Sequence, residues 1–217
     1  MGIDRTLILR EAFATLNQAG LEGLTLRRLA ARLGVQAPAL YWHFPSKQAL
    51  LDEMATQVLR ESIEQVRDLT ALPDWREWAA LNYARLRTLL LRYRDGARMF
   101  SGTYLTDVDL FAPMEANLRK LTDAGFTLRQ AVVGLSALYS YTIGFVIEEQ
   151  ATELAPGEPN PQYDLAAREK RVNRDLYPLA AAAGAEMFQQ HEARFAEGMS
   201  LIIAGMAQSL FTGPASN

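Results

Sequence analysis

Tyr41, Trp42 and His43 stand side by side in LGVQAPALYWHFPSKQALLD, residues 33–52. They offer an O–H, an indole N–H and an imidazole, each on a rigid ring. Three bulky half-polar rings in a row make a poor core and a good contact surface, above all for phosphate oxygens. Little else in the chain offers chemistry. His43 and His191 are its two histidines and it has no cysteine, so thiol nucleophiles, thiolate metal sites and disulfides are excluded. His191-Glu192 is followed by Ala-Arg-Phe, not by the rest of an HExxH motif, and no Walker loop or dinucleotide glycine pattern occurs. No serine has a credible histidine partner. The expectation is a protein that binds rather than catalyses, with no metal and no cofactor.

The elements around the rings explain how they could be presented. Ile8, Ala12, Leu16 and Ala19 line one face of a first helix, which Gly20 and Gly23 end. Thr25 opens a short second helix, with Leu26, Leu29, Ala30 and Leu33 at i, i+3, i+4, i+7 and Arg27, Arg28 and Arg32 turned away. Gly34 breaks it. A third short helix starts at Ala37–Pro38, where proline suits the first turn. Two short helices, a tight glycine turn and a buried aliphatic stripe make a helix–turn–helix, whose second helix can enter a major groove. With Leu40 and Phe44 inward, Ala37, Ala39, Tyr41 and His43 face out, and Lys47 adds a charge. The competing reading is an αα-hairpin whose aromatics merely cover a core edge.

Beyond Pro45, helical periodicity continues and convincing strand alternation is absent. Ser46 caps a long helix to about Leu69, and Asp74 caps another to about Arg92. RDGARMFSGT reads as irregular. Helices follow at about 107–123 and 127–152, then a proline-rich loop, ELAPGEPNPQYD, and two helices at about 162–181 and 186–211. The uncharged run at 131–147 is barely long enough to span a bilayer; its serines, threonine, tyrosines and glycines favour a helix buried on most sides in a bundle. The fold class expected is all-α: a three-helix DNA-binding head at 1–46, a helical body at 47–212, and a tail at 213–217.

Charge supports the division. Residues 1–47 hold six arginines and lysines against three acids, a balance of +3, which leaves −6 for the rest of a chain of net charge −3. A basic head on an acidic body is what a protein needs if only its head meets a polyanion. The composition, 49% hydrophobic and 22% charged, is that of a globular protein. MGIDRTLILREAF is too charged for a secretory signal, so a cytoplasmic location is expected.

LEGLTLRRLAARLGVQAPALYWHFPSKQALLD strongly resembles the N-terminal domain of the TetR family of transcriptional repressors. RDGARMFSGT, the Gly125-Phe126 pair, LSALYSYTIGFVIEEQ and LIIAG resemble the tetracycline repressor subgroup. The resemblance implies an all-α homodimer with two DNA heads on a palindromic operator and a ligand pocket in each body. Family positions that read bases or contact phosphates match at Arg27, Pro38, Tyr41, Trp42, His43 and Lys47. Three depart: a glutamine is Ala37, and two threonines are Leu26 and Ala39. Glutamine can bond adenine twice, whereas alanine offers a methyl contact to thymine, a difference of ~1–3 kcal/mol per site. A different operator is expected, with Gln36 and Arg27 as direct readers.

The resemblance also places a pocket in the body, with departures of its own. Phe100 stands at the metal-ligand histidine, Ile63 at a drug-binding histidine beside Ser62, and Tyr104, followed by Leu105, at a pocket arginine. Asn82, Asn117 and Glu148 match or nearly match. Phenylalanine cannot coordinate magnesium, which needs oxygen ligands. A metal-free, largely apolar or aromatic effector is therefore expected, walled by Ile63, Leu86, Phe100, Tyr104, Leu105, Leu135, Tyr139 and Tyr141. Asn82, Thr103, Asn117 and Glu148 would supply hydrogen bonds. Two apolar stripes, one of Ala131, Leu135 and Leu138 and one of Phe195, Met199, Ile202 and Met206, are expected to form a four-helix dimer interface. The alternatives are a tetracycline-type drug-responsive repressor, an activator, and a helical ligand-binding protein without specific DNA affinity.

Overall fold

The computed structural model describes residues 3–104, 106–155 and 157–210. Leu105 and the expected tail at 213–217 lie outside the described residues.

The head is built as its spacing predicts. Helix α1 spans Arg5–Gly23, with Asp4 accepting from the Leu7 N–H at 2.7 Å. Ile8, Ala12 and Leu16 are fully buried. At Gly20 (φ 68°, ψ 178°) the helical path breaks, in a region of backbone space that is essentially glycine's alone. Helix α2, Leu26–Arg32, starts on the Thr25 hydroxyl, which accepts from Arg28 N at 3.1 Å. Gly34, at φ 67°, closes it. There the N–H of Gly34 reaches the Ala31 carbonyl at 3.2 Å and that of Val35 reaches Ala30 at 3.0 Å, a Schellman ending that satisfies the last carbonyls. Helix α3, Ala37–Tyr41, carries Pro38 in its first turn, and Leu40 and Phe44 anchor it in the core.

Helix α4, Lys47–Val66, belongs to head and body alike. Ser46 Oγ accepts from Ala49 N at 3.0 Å, and Leu50, Met54, Ala55 and Val58 form a fully buried stripe. The helix gives way to a 3-10 turn at Arg67–Ala71, short of the expected end at Leu69. Helix α5, Trp75–Leu91, is capped by Asp74. The segment expected to be irregular contains a five-residue helix, α6, Gly96–Phe100. A 3-10 turn at Val108–Leu110 runs into α7, Phe111–Asp123, and α8 spans Leu128–Ala151 behind a Thr127/Gln130 capping box.

Three expectations need correction. The proline-rich segment holds a small antiparallel hairpin, β1 Glu153–Ala155 with β2 Glu158–Pro159. The single helix expected at 162–181 is two, α9 Leu165–Arg171 and α10 Pro178–Phe188. Asn173 Oδ1 accepts from the N–H groups of Asp175 and Leu176 at 3.0 and 3.1 Å. That side-chain turn competes with helix, and Pro178 then opens a new one. Because α10 runs to Phe188, α11 starts at His191 and ends at Ser209.

Helix α5 lies at the centre of the body, packed on α8 and α11. The Arg87 guanidinium grips Glu149 with two hydrogen bonds, tying α5 to α8 in a shielded setting. Gln130 Nε2 donates to Ser209 O at 2.8 Å, tying the start of α8 to the end of α11. Helix α8 is long and apolar enough to cross a membrane. Here one face of it is core, through Ala131, Leu138, Ile143 and Val146, while Val132 and Val133 on its other side are exposed.

The two glycine turns give a paired prediction. Gly34→Ala meets nothing within 4 Å, so it should cost only the left-handed backbone penalty, about 1–2 kcal/mol. A Cβ at Gly20 would stand 2.8 Å from Asp95 Oδ2, so Gly20→Ala should cost more, about 2–4 kcal/mol. Urea unfolding of the two variants measures both; equal costs would contradict the crowding at Gly20.

Candidate nucleic-acid interface and effector pocket

Helix α3 is held by its aliphatic side, and that sets what it presents. Leu40 and Phe44 are sealed in the core, whereas Tyr41 is 52% and Trp42 90% exposed. Arg27, Gln36 and Pro38 are exposed and Ala37, Ala39 and His43 half-buried. Among the described residues the side chains of Arg27, Gln36, Tyr41, Trp42 and His43 have no hydrogen-bond partner within the chain. The outer sides of α2, α3 and the turn after it thus carry a guanidinium, an amide, a phenol, an indole and an imidazole, unbonded within the chain among the described residues. Leu26, at a family threonine position, is buried. Lys47 is placed differently from the rings: its ammonium donates to Leu21 O at 2.7 Å, capping the end of α1. Arg32 is also engaged inside the head, by Glu11 and Gln18.

The head is fastened to the body at the kink in α1. Breaking the helix at Gly20 frees the Leu21 N–H, which donates to Asp95 Oδ2 at 2.8 Å. Asp95 itself sits at φ 54°, a conformation that costs a non-glycine residue energy unless its surroundings hold it. Arg94 adds two bonds, from its N–H to Asn17 Oδ1 at 3.0 Å and from its guanidinium to Gln18 O at 3.3 Å. Asp95 directly precedes α6, whose other end is Phe100. Sequence reasoning missed Asp95; its only signal was an acidic residue before a glycine.

In the body, Phe100 and Leu86 are buried, and the Phe100 and Tyr139 rings lie 6.3 Å apart. The Tyr83 hydroxyl donates to Leu135 O at 3.1 Å, which brings Leu135 to the same place. Burial, with Tyr139 nearby, pushes the Tyr83 phenol well above its ordinary value, and burial raises Tyr139 too. Both therefore stay neutral hydroxyls. Asn82, Asn117 and Ile63 are half-buried. Asn82 is one turn from Leu86 on the inner face of α5, and Asn117 one turn from the buried Leu121 on α7. Neither amide has a hydrogen-bond partner within the chain among the described residues.

Other expected pocket residues are placed elsewhere. Tyr104 is 78% exposed and its N–H is held by Asp52 at 3.0 Å. The Thr103 hydroxyl donates to Phe100 O at 2.7 Å. Tyr141 donates toward the carbonyls of Arg194 and Phe195, both at 3.2 Å, and stacks on Phe195, so it braces α8 against α11. Glu148 stands about two and a half turns beyond Tyr139, on the opposite side of α8, and is exposed; Tyr139, against Phe100 at one edge, is itself 38% exposed. A separate open groove of about 600 Å³ lies between α5 and α11, lined by Ala80, Ala84, Phe195, Met199 and Ile203; none of the expected pocket residues borders it.

The stripes expected to pair two chains also need correction. Ala131, Leu138, Phe195, Met199 and Met206 are buried within one chain, because α8 and α11 pack on each other as well as on α5, with Met206 against Gly134 and Phe195 against Tyr141. The uncovered sides are the other ones: Val132, Val133, Ala137 and Gly144 of α8, and Leu201, Ala204 and Gly205 of α11.

The donor set does not suit a magnesium ion. Among the described residues no three His, Asp or Glu side chains converge to hold a metal. Phe100 is buried and presents hydrocarbon, which cannot coordinate an ion. His191 lies by the Arg87–Glu149 pair, 4.0 Å from Glu149 Oε1.

Comparison with known proteins agrees with this anatomy. Residues 8–54 match the family model "Bacterial regulatory proteins, tetR family", and residues 69–210 match "Tetracyclin repressor-like, C-terminal domain". The chain is 39% identical over 207 residues to the class A tetracycline repressor protein from transposon 1721 of Escherichia coli, spanning 93% of this chain and 89% of that protein. A possible TetR family transcriptional regulator from Streptomyces coelicolor A3(2) superposes with a TM-score of 0.81 at 35% identity, covering 95% of this chain and all of the other. A class A TetR in complex with 5a,6-anhydrotetracycline and magnesium gives a TM-score of 0.66 at 30% identity, over 95% of this chain and 99% of that one. With both family models matched in order along a helix–turn–helix head and a helical body, the chain belongs to the tetR family of bacterial regulatory proteins and is a ligand-responsive transcriptional repressor.

Proposed function

We propose that the protein acts as a homodimer on a palindromic operator and is released from it by a metal-free, largely apolar or aromatic effector. Residues 1–46 form the DNA-reading head and the rest of the helical chain the sensing and dimerising body. The observation that carries the reading is the pairing of a free, ring-rich α3 surface with a pocket whose wall is Phe100 and Tyr139 rather than histidine.

In the head, Tyr41, Trp42 and His43 contact phosphates, and Gln36 and Arg27 read base edges. Ala37 and Ala39 offer methyl groups, so the preferred operator differs from that of relatives with glutamine or threonine there. In the body, the amides of Asn82 and Asn117 and the hydroxyl of Tyr139 bond an effector that the rings sandwich. Its arrival beside Phe100 displaces α6. Asp95, at the head of α6, then shifts its hold on Leu21, and α4 moves with it. Two heads ~34–36 Å apart leave register with successive major grooves. The effector must favour the displaced state by about 1–3 kcal/mol for the switch to work.

Dimerisation uses the small and aliphatic residues left uncovered on α8 and α11. Alanine and glycine there let helices from two chains approach closely, around a two-fold axis that gives a four-helix bundle. The partner's α8 then carries its Glu148 toward the other chain.

Three outcomes are expected. Footprinting upstream of the protein's own coding region should reveal a palindrome, and Trp42→Ala should weaken binding to it by roughly tenfold or more with an unchanged melting temperature, since the indole is 90% exposed. Planar apolar compounds that release the protein in a gel-shift series should do so equally with and without EDTA, and Asn82→Ala should raise the concentration needed about fivefold to tenfold; dependence on magnesium would overturn the metal-free reading. Light scattering should give a dimer, and a charge placed by Gly205→Arg should split it into monomers.

A further inference from the structure

We infer that Arg5 is a positioning residue, coupling the body segment after α6 to the end of α3 through the carboxylate of Glu53. The inference rests on the DNA-reading role proposed above. Arg5 uses its guanidinium as a fork: Nη1 donates to His43 O at 3.2 Å and Nη2 to Glu53 Oε2 at 2.9 Å, while the group lies 4.6 Å from the centroid of the Phe44 ring. One side chain on α1 therefore pins the carbonyl that ends the ring-rich tripeptide, the ring that anchors it, and α4. The same Glu53 Oε2 lies 3.2 Å from the hydroxyl of Thr106. The Thr106 N–H donates to Thr56 Oγ1 at 3.0 Å. Arg60 closes the far side, 3.6 Å from Glu53 Oε1 and 2.7 Å from Asp107 Oδ2.

Head and body thus share a single carboxylate oxygen. The Glu53 side chain is 13% exposed and that of Arg5 53%, so the carboxylate is shielded while the guanidinium stays open to water and the pair is screened on that side. Movement of the segment carrying Thr106, a few residues beyond Phe100, changes how Oε2 is offered to Arg5 and so how His43 is held. This path is separate from the Asp95–Leu21 attachment at the other end of α1. Its geometry requires an arginine: a lysine keeps the charge but cannot bridge a carbonyl and a carboxylate in one planar fork.

The test uses Arg5→Lys, which leaves the charge facing DNA unchanged, and Thr106→Val, which removes the hydroxyl and keeps the shape. Binding to the footprinted operator should weaken about fivefold in Arg5→Lys and about threefold in Thr106→Val, and the double variant should match the weaker single variant rather than their product. Independently of DNA, the protein labelled with 5-fluorotryptophan should show the Trp42 resonance, assigned by Trp42→Phe, shift in Thr106→Val and not shift further in the Arg5→Lys background. Wild-type affinity in Arg5→Lys, multiplicative losses, or an equal Trp42 shift in both backgrounds would overturn the relay. Failure of the wild type to bind any footprint would instead sink the proposed DNA role, and the fluorine spectra would still decide the coupling.

Discussion

The structure depends on one helix being packed in two places. The buried stripe Leu50, Met54, Ala55 and Val58 runs along α4 from the head into the body, against α1 at one end and α5 and α6 further along. A close-packed interior transmits displacement instead of absorbing it. The stripe thus ties α6 in the body and α1 in the head to one continuous packing along α4. The polar attachments only make sense on this frame: Asp95 holding Leu21, Lys47 capping the same turn, and Glu53 shared by Arg5 and Thr106. Each is a few tenths to a few kcal/mol, enough to bias a rigid lever and too little to define one.

The pocket follows from a contrast in chemistry on a similar scaffold. A histidine wall invites a metal and a metal-bound drug; Phe100 and Tyr139 invite a flat hydrocarbon face. In the proposed reading, orientation falls to the neutral groups left without internal partners, Asn82 and Asn117, and to phenols that partial burial keeps protonated. Half-buried amides with nothing to bond inside the chain cost little while water reaches them, and they become specific when a ligand displaces that water.

Where sequence reasoning misplaced residues, tertiary packing is the reason. Helical spacing identified the stripes Ala131-Leu138 and Phe195-Met206 as apolar, yet spacing cannot say which neighbour covers a stripe. Helices α8 and α11 cover each other's stripe together with α5, and the less apolar opposite faces are left open. Glu148 and Tyr139 are close in sequence and on opposite sides of α8. The split between α9 and α10 rests on the Asn173 side chain capturing two backbone N–H groups, a local competition that hydrophobic periodicity does not register. Lys47, expected to face outward, is drawn instead to a carbonyl that the kink at Gly20 exposes.

The sequence by itself determined the all-helical class, the helix–turn–helix, its caps at Thr25 and Ser46, and the outward rings. These depend on contacts a few residues apart, where residue type and spacing suffice. It also set a phenylalanine at residue 100, and with it the chemistry of the proposed pocket wall. Only the tertiary structure decided which stripe each helix buries, that Leu21 would meet Asp95, and that Arg5, Glu53 and Thr106 would converge on one oxygen. Those partners lie some 50 to 75 residues apart in the chain, and no local pattern encodes a meeting that only packing through α4 brings about.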